Sequence, residues 1–137
     1  MPAVIPCAFE ELQEEYDALF DTGAEYSVMH REVAAELGLK PDGETCLTMS
    51  TRLGDFQGSL QRHAVRIPAL AGEDLLVEPA WFVCAEWPGP MVLGWRGFLE
   101  SITFGCNPRA TSDEEGRFYF ALLSEPAVGV DAGLRNP

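Results

Sequence analysis

Leu19 and Phe20 lead directly into Asp21-Thr22-Gly23-Ala24, so an apolar strand ends on a carboxylate, a hydroxyl and a glycine in succession. This arrangement restricts the fold strongly. A rigid, buried strand holds the carboxylate in one position and strips part of its water. The threonine hydroxyl can lock the loop, and the glycine lets backbone N–H groups come close to the carboxylate. Tyr26-Ser27-Val28-Met29 then alternates in β-prone residues and reads as a short strand. From His30 to Leu39 the chain reads as a short helix, with Val33, Ala34 and Leu37 on one face and Gly38 at the C-cap.

A second apolar stretch ending in glycine, Met91-Val92-Leu93-Gly94, runs on through Trp95-Arg96-Gly97-Phe98-Leu99-Glu100, about seventy residues after the first. In this order the two segments resemble the signatures of the retropepsin-like (clan AA) aspartic proteases, of the single-domain, homodimeric kind found in bacteria. The likeness covers about residues 15 to 123, with its specific motifs at 19–25 and 91–99. It implies a mostly-β fold, a closed acid-protease barrel with one or two short helices. It further implies that Asp21, Thr22 and Gly23 form the catalytic loop, with Ala24 against the substrate backbone. The later element would cross beneath that loop, where Gly94 permits a close backbone approach, and Leu93, Gly94 and Trp95 would face substrate. Glu25 and Arg96 are the candidates for the family's acid–arginine pair, with Trp95 displacing the arginine by one position.

One aspartate does not make such an enzyme. The mechanism needs two carboxylates sharing one proton, and two such groups a few ångströms apart cannot both ionise easily. The 137 residues hold a single Asp-Thr-Gly and make about half of a two-lobed enzyme. A symmetric homodimer resolves this, each subunit giving Asp21 across a two-fold axis. The resemblance implies that the two Thr22 side chains then bond across the interface. The expected activity is endopeptidase cleavage of a peptide or protein substrate, with no metal, no other cofactor and no covalent intermediate. A binding or dimerisation module of the same fold, with weak or absent catalysis, is the alternative, because fold does not fix function.

Between the signatures, Thr45 to Leu53 and Phe56 to Ile67 read as a long hairpin turning near Gly54-Asp55. In the resembled family a hairpin at this point is the flap that closes over substrate and excludes water, which nominates Leu53, Gly54, Asp55 and Phe56 as substrate contacts. Elsewhere, Ala3 to Phe9 and Glu15 to Phe20 read as paired strands around the acidic turn Glu10, Glu11, Glu14, Glu15. Leu75 to Cys84 reads as a strand interrupted by Pro79, and Trp87-Pro88-Gly89-Pro90 as a tight loop. Ile102 to Cys106 and Arg117 to Leu123 read as a closing hairpin around a polar loop whose Asp113-Glu114-Glu115 lacks calcium-loop spacing. Residues 1–123 thus form one domain, and the Pro- and Gly-containing 124–137 form a tail with little to bury.

Composition limits the remaining options. A net charge of −13 leaves no basic face for nucleic acid and describes a self-repelling surface. No apolar run reaches membrane-spanning length, and no basic-then-apolar leader opens the chain. Cys7, Cys46, Cys84 and Cys106 are scattered in apolar settings without a C-x-x-C pair, which predicts buried free thiols and a cytoplasmic setting. His30 and His63 have no partner at metal spacing, so surface or helix-start roles are expected for them. Ser27 lacks the His and Asp partners of a nucleophile.

Overall fold

β1 (Ala3–Ala8) and β2 (Glu15–Phe20) pair antiparallel, with Ile5 opposite Ala18 and Cys7 opposite Tyr16. Ile5 and Cys7 are buried while Val4 and Pro6 face out, the alternation a one-sided strand needs. The computed structural model describes residues 3–107 and 117–123. The expected loop 108–116 with its Asp113-Glu114-Glu115, the tail 124–137 and the Cys106 side chain lie outside the described residues.

The chain continues through β3 (Ser27–Val28), α1 (Arg31–Leu37), β4 (Thr45–Thr51), β5 (Gly54–Arg62), β6 (Val65–Ile67), β7 (Leu75–Val77), β8 (Ala80–Val83) and β9 (Met91–Leu93). These strands form one sheet in the order β4-β5-β8-β3-β9-β2-β1-β6-β7. That order has two edges, and among the described residues no ladder joins β4 to β7. A 3-10 turn (Leu99–Ser101) leads into β10 (Ile102–Asn107), which pairs with β11 (Arg117–Leu122) as a separate hairpin. Among the described residues the fold is therefore mostly β with one α-helix. Of the one or two short helices expected, α1 is one, and the other short turn is the 3-10 segment.

α1 begins and ends where its caps require. His30 is the N-cap, its Nδ1 accepting the Glu32 N–H at 3.2 Å. Gly38 takes the left-handed φ of 76° and donates back to the helix carbonyls. Val33 and Ala34 are buried, and Leu37 packs against the same core. That core joins Phe9, Met29, Val65, Ile67, Trp81, Leu93, Phe98 and Leu99. A second apolar cluster joins Val28, Phe82, Trp87 and Val92, and the inner faces of β4 and β5 pack on it through Leu47, Met49, Phe56 and Leu60.

Two expectations are corrected here, and one strand divides where its proline was expected to interrupt it. The run from Phe56 to Ile67 is two strands: the chain breaks at His63-Ala64, leaving β8 as a partner of β5 while β6 moves on to β1 and β7. His63 anchors that break, its carbonyl accepting the Trp81 indole N–H at 3.0 Å and its Nε2 lying 2.8 Å from Glu11 Oε2. The run from Leu75 to Cys84 divides at Pro79, which has no N–H to give a ladder. Cys46 is exposed, because Leu47 and Met49 take the inward positions of β4 and turn it to solvent.

The thiols should accordingly differ in reactivity. Burial, with the Asp17 charge second, pushes the Cys7 thiol up to about 12. Iodoacetamide on the native protein, followed by peptide mapping, should modify Cys46 and spare Cys7 and Cys84 at least about 100-fold. Equal labelling of Cys7 and Cys46 before unfolding would contradict this packing.

A carboxylate staples the β6–β7 connection. Asp74 accepts the Ala69 N–H at 2.8 Å through Oδ1 and Arg66 Nη1 at 2.8 Å through Oδ2. The Ala69 N–H first, then Arg66, hold its carboxyl below the ordinary 3.8. A carboxyl lowered by folding stabilises fully above its ordinary value and loses that contribution as pH falls through the lowered one. Asp74→Asn should therefore lower the thermal midpoint at pH 7, with a smaller deficit at an acid pH well under the ordinary 3.8. An equal deficit at both pH values would contradict the charge-based account.

Candidate active site

β2 delivers Asp21 to the end of a parallel ladder with β9, in which Phe20 faces Leu93 and the Asp21 N–H donates to the Leu93 carbonyl at 3.0 Å. The chain then turns, with the Ala24 N–H donating to the Asp21 carbonyl at 3.2 Å. At the centre of the turn the Gly23 N–H donates to Asp21 Oδ1 at 2.8 Å, orienting the carboxylate. A Cβ on Gly23 would stand 3.2 Å from that same oxygen, so a side chain there would crowd the carboxylate by a few tenths of an ångström. Asp21, Thr22 and Gly23 are exposed and Ala24 is half-buried. Among the described residues Asp21 is therefore oriented but not desolvated, contrary to expectation: the strand behind it is covered, while the loop itself stays exposed.

The second motif clamps this loop from beneath. Gly94 donates to Ser27 Oγ at 3.0 Å, Trp95 N–H to the Ala24 carbonyl at 3.0 Å, and Arg96 N–H to the Glu25 carbonyl at 2.8 Å. The Trp95 indole N–H adds a bond to the Thr22 carbonyl. A Cβ on Gly94 would lie 2.6 Å from both the Ala24 and Tyr26 carbonyl oxygens. The two segments are thus joined by these four hydrogen bonds, two of them backbone to backbone.

Side chains repeat the link. Arg96 Nη2 lies 3.3 Å from Glu25 Oε2, so Glu25 and Arg96 come together despite the intervening Trp95, because the turn after Gly94 swings Arg96 back toward the loop. Both are more than half exposed, and such a pair contributes at most about 1 kcal/mol. Gly23, Glu25, Trp95, Arg96 and Glu100 border an open depression of about 420 Å³ beside the loop. Among the described residues, no group of three or more His, Cys, Asp or Glu side chains is placed to hold a metal ion.

A family model for aspartyl proteases matches residues 5–102, which takes in both motifs and every strand of the main sheet. The chain belongs to the aspartyl protease family. No curated protein and no solved structure matches it.

In this aspartyl protease chain the β4–β5 hairpin turns through Arg52 and Leu53. Gly54 takes φ 123° there, and Thr51 Oγ1 accepts the Leu53 N–H and donates to the Gly54 carbonyl, both at 3.0 Å. Leu53, Gly54 and Asp55 are exposed, so the tip makes no packing contact of its own with the Asp21 loop. Phe56 is half-buried, edge-on to Trp87 at 5.3 Å, in the apolar cluster that also receives Ala24. Leu93 and Gly94 are buried, so they support the loop from below, whereas Trp95 stays 39% exposed at its rim.

Ser27 is the site residue that sequence reasoning passed over. It is fully buried, and its hydroxyl is the acceptor that fixes Gly94 under the loop. A hydroxyl six residues after the aspartate, inside an otherwise apolar strand, was the available signal, since a buried hydroxyl requires a partner. Among the described residues, no helix is long and apolar enough to cross a membrane.

Proposed function

We propose that this chain is an aspartic endopeptidase that acts as a symmetric homodimer, with the attacking water held between two Asp21 carboxylates. The observation that carries this reading is the Gly23 N–H to Asp21 Oδ1 bond at 2.8 Å on an exposed loop end, within a chain of the aspartyl protease family that has a single Asp-Thr-Gly. In the dimer the ionised carboxylate takes a proton from water as its oxygen attacks the scissile carbonyl carbon. The protonated partner gives its proton to the carbonyl oxygen, forming a tetrahedral diol. Collapse of the diol breaks the C–N bond, a proton passes to the leaving amine, and the pair returns to sharing one proton.

Several features support the same reading. The Thr22 hydroxyl makes no hydrogen bond among the described residues, which leaves it free for a second Thr22 across the axis. The second copy would cover the loop that one chain leaves exposed, and the β4–β5 hairpin would serve as the flap. Closure of the strands into a barrel, a cytoplasmic setting and the absence of nucleic-acid or membrane partners belong to this reading too.

The test pairs light scattering at micromolar concentration with cleavage of a peptide library from about pH 3.5 to 7, where a coupled carboxylate pair titrates. A dimer that cleaves with a bell-shaped pH profile supports the reading. A particle of 15.0 kDa at every pH, or a verified dimer with no turnover, would overturn it.

A further inference from the structure

A second depression, of about 310 Å³, lies next to the loop and shares Arg96 with the first. The strand register brings two arginines together there. Arg62 is opposite Ala80 in the β5–β8 ladder, and the Ala80 N–H donates to the Arg96 carbonyl at 3.1 Å. In a chain with 22 acidic side chains and only nine lysines and arginines, two arginines on either side of Ala80 lining a single depression stand out.

Their charges are not equally spent. Arg96 shares Glu25, but Arg62 donates only to the Glu78 carbonyl, at 3.1 Å, and pairs with no carboxylate among the described residues. Tyr26 and Thr45 line the same depression, and neither hydroxyl is engaged among the described residues. Gln61 is held rigid, its Nε2 donating to the Lys40 carbonyl and to Ser59 Oγ. A forked cation with neutral hydroxyl donors around it matches a carboxylate, which can accept two N–H bonds from one guanidinium.

We infer that the depression between Arg62 and Arg96 is a substrate subsite that selects an aspartate or glutamate side chain away from the scissile bond. Tyr26 lies five residues beyond Asp21, and the two depressions meet at Arg96, so an extended peptide leaving the loop over Gly23 and Glu25 runs into Arg62. The inference rests on the peptidase reading for its substrate, but the anion-binding chemistry stands apart from catalysis. Selection requires an ionised side chain, so it fades below about pH 4.

The test scans aspartate and glutamate against asparagine and glutamine at each position of a cleaved peptide, with wild type, Arg62→Gln and, as a charge control, Arg66→Gln. The expected result is an acidic preference of about tenfold in kcat/KM at one position, lost in Arg62→Gln and kept in Arg66→Gln, with neutral peptides cleaved equally by all three. Cleavage without such a preference, or a preference that Arg62→Gln leaves unchanged, overturns the subsite while the peptidase reading stands. If no peptide is cleaved, the peptidase reading fails, and fluorescence anisotropy of the same peptides decides the subsite. Weaker binding of the acidic peptide to Arg62→Gln alone supports it, and equal binding to all three proteins overturns it.

Discussion

Asp21→Asn should abolish peptide cleavage, lowering kcat/KM at least about 1000-fold, while the protein folds and associates as before. The two halves of this result have separate causes. The amide keeps a carbonyl oxygen where Oδ1 now accepts the Gly23 N–H at 2.8 Å, so the turn retains its bond. The side chain is exposed in the single chain, and the substitution should cost no more than about 1 kcal/mol of stability. Asparagine, however, cannot take a proton from water, and a dyad lacking its base has no general acid–base chemistry left. The measurements are steady-state kinetics, a urea midpoint and light scattering on the same preparation. Residual turnover near the wild-type level would move catalysis away from Asp21 altogether.

Gly94→Ala should damage stability and turnover together although it adds a single methyl outside the loop itself. The added Cβ would sit 2.6 Å from two backbone carbonyl oxygens, those of Ala24 and Tyr26, and neither is the flexible end of a side chain. One of the two crossing segments must move, breaking the bond from the Gly94 N–H to Ser27 Oγ or the bond from the Trp95 N–H to the Ala24 carbonyl. Overpacking of this kind costs about 2–3 kcal/mol. Displacing the Asp21 loop by even about 1 Å should lower turnover about 100-fold. Gly105→Ala is the matched control: its Cβ would meet no described residue within 4 Å, so the urea midpoint should barely change. Equal effects of the two substitutions would mean that the crossing beneath the loop is not this tight.

The site was legible wherever local chemistry and chain order carried it. Asp21 to Gly23 announced a carboxylate cradle, and His30 and Gly38 bounded α1 through rules that act within a few residues. The hairpin at Gly54 was legible for the same reason: a turn needs a residue that tolerates positive φ. What stayed hidden depends on long-range register. Nothing near His63 says that β6 must leave β8 and join β1, because that switch is decided by where β1 and β7 lie. Cys46 looked like a buried thiol since its neighbours are apolar, but β4 alternates, and only the cluster beneath Leu47 and Met49 shows which face is inward. Ser27 and Gly94 are 67 residues apart, and neither segment alone reveals that they bond. That Arg62 and Arg96 line one depression likewise depends on the β5–β8 register, which sets Arg62 opposite Ala80 and is invisible in either motif.

The proposed catalytic pair takes one Asp21 from each of two chains, and subunit mixing tests that most directly. Wild type held at fixed concentration is mixed with an equal amount of Asp21→Asn, left to exchange, and assayed for peptide cleavage. If each active site needs Asp21 from both subunits, random exchange leaves half of the wild-type chains in dead heterodimers, and activity falls to about half that of wild type alone. Activity that stays at the wild-type level, with exchange verified by mass spectrometry of the mixed dimers, would show that one Asp21 suffices and would contradict the shared dyad.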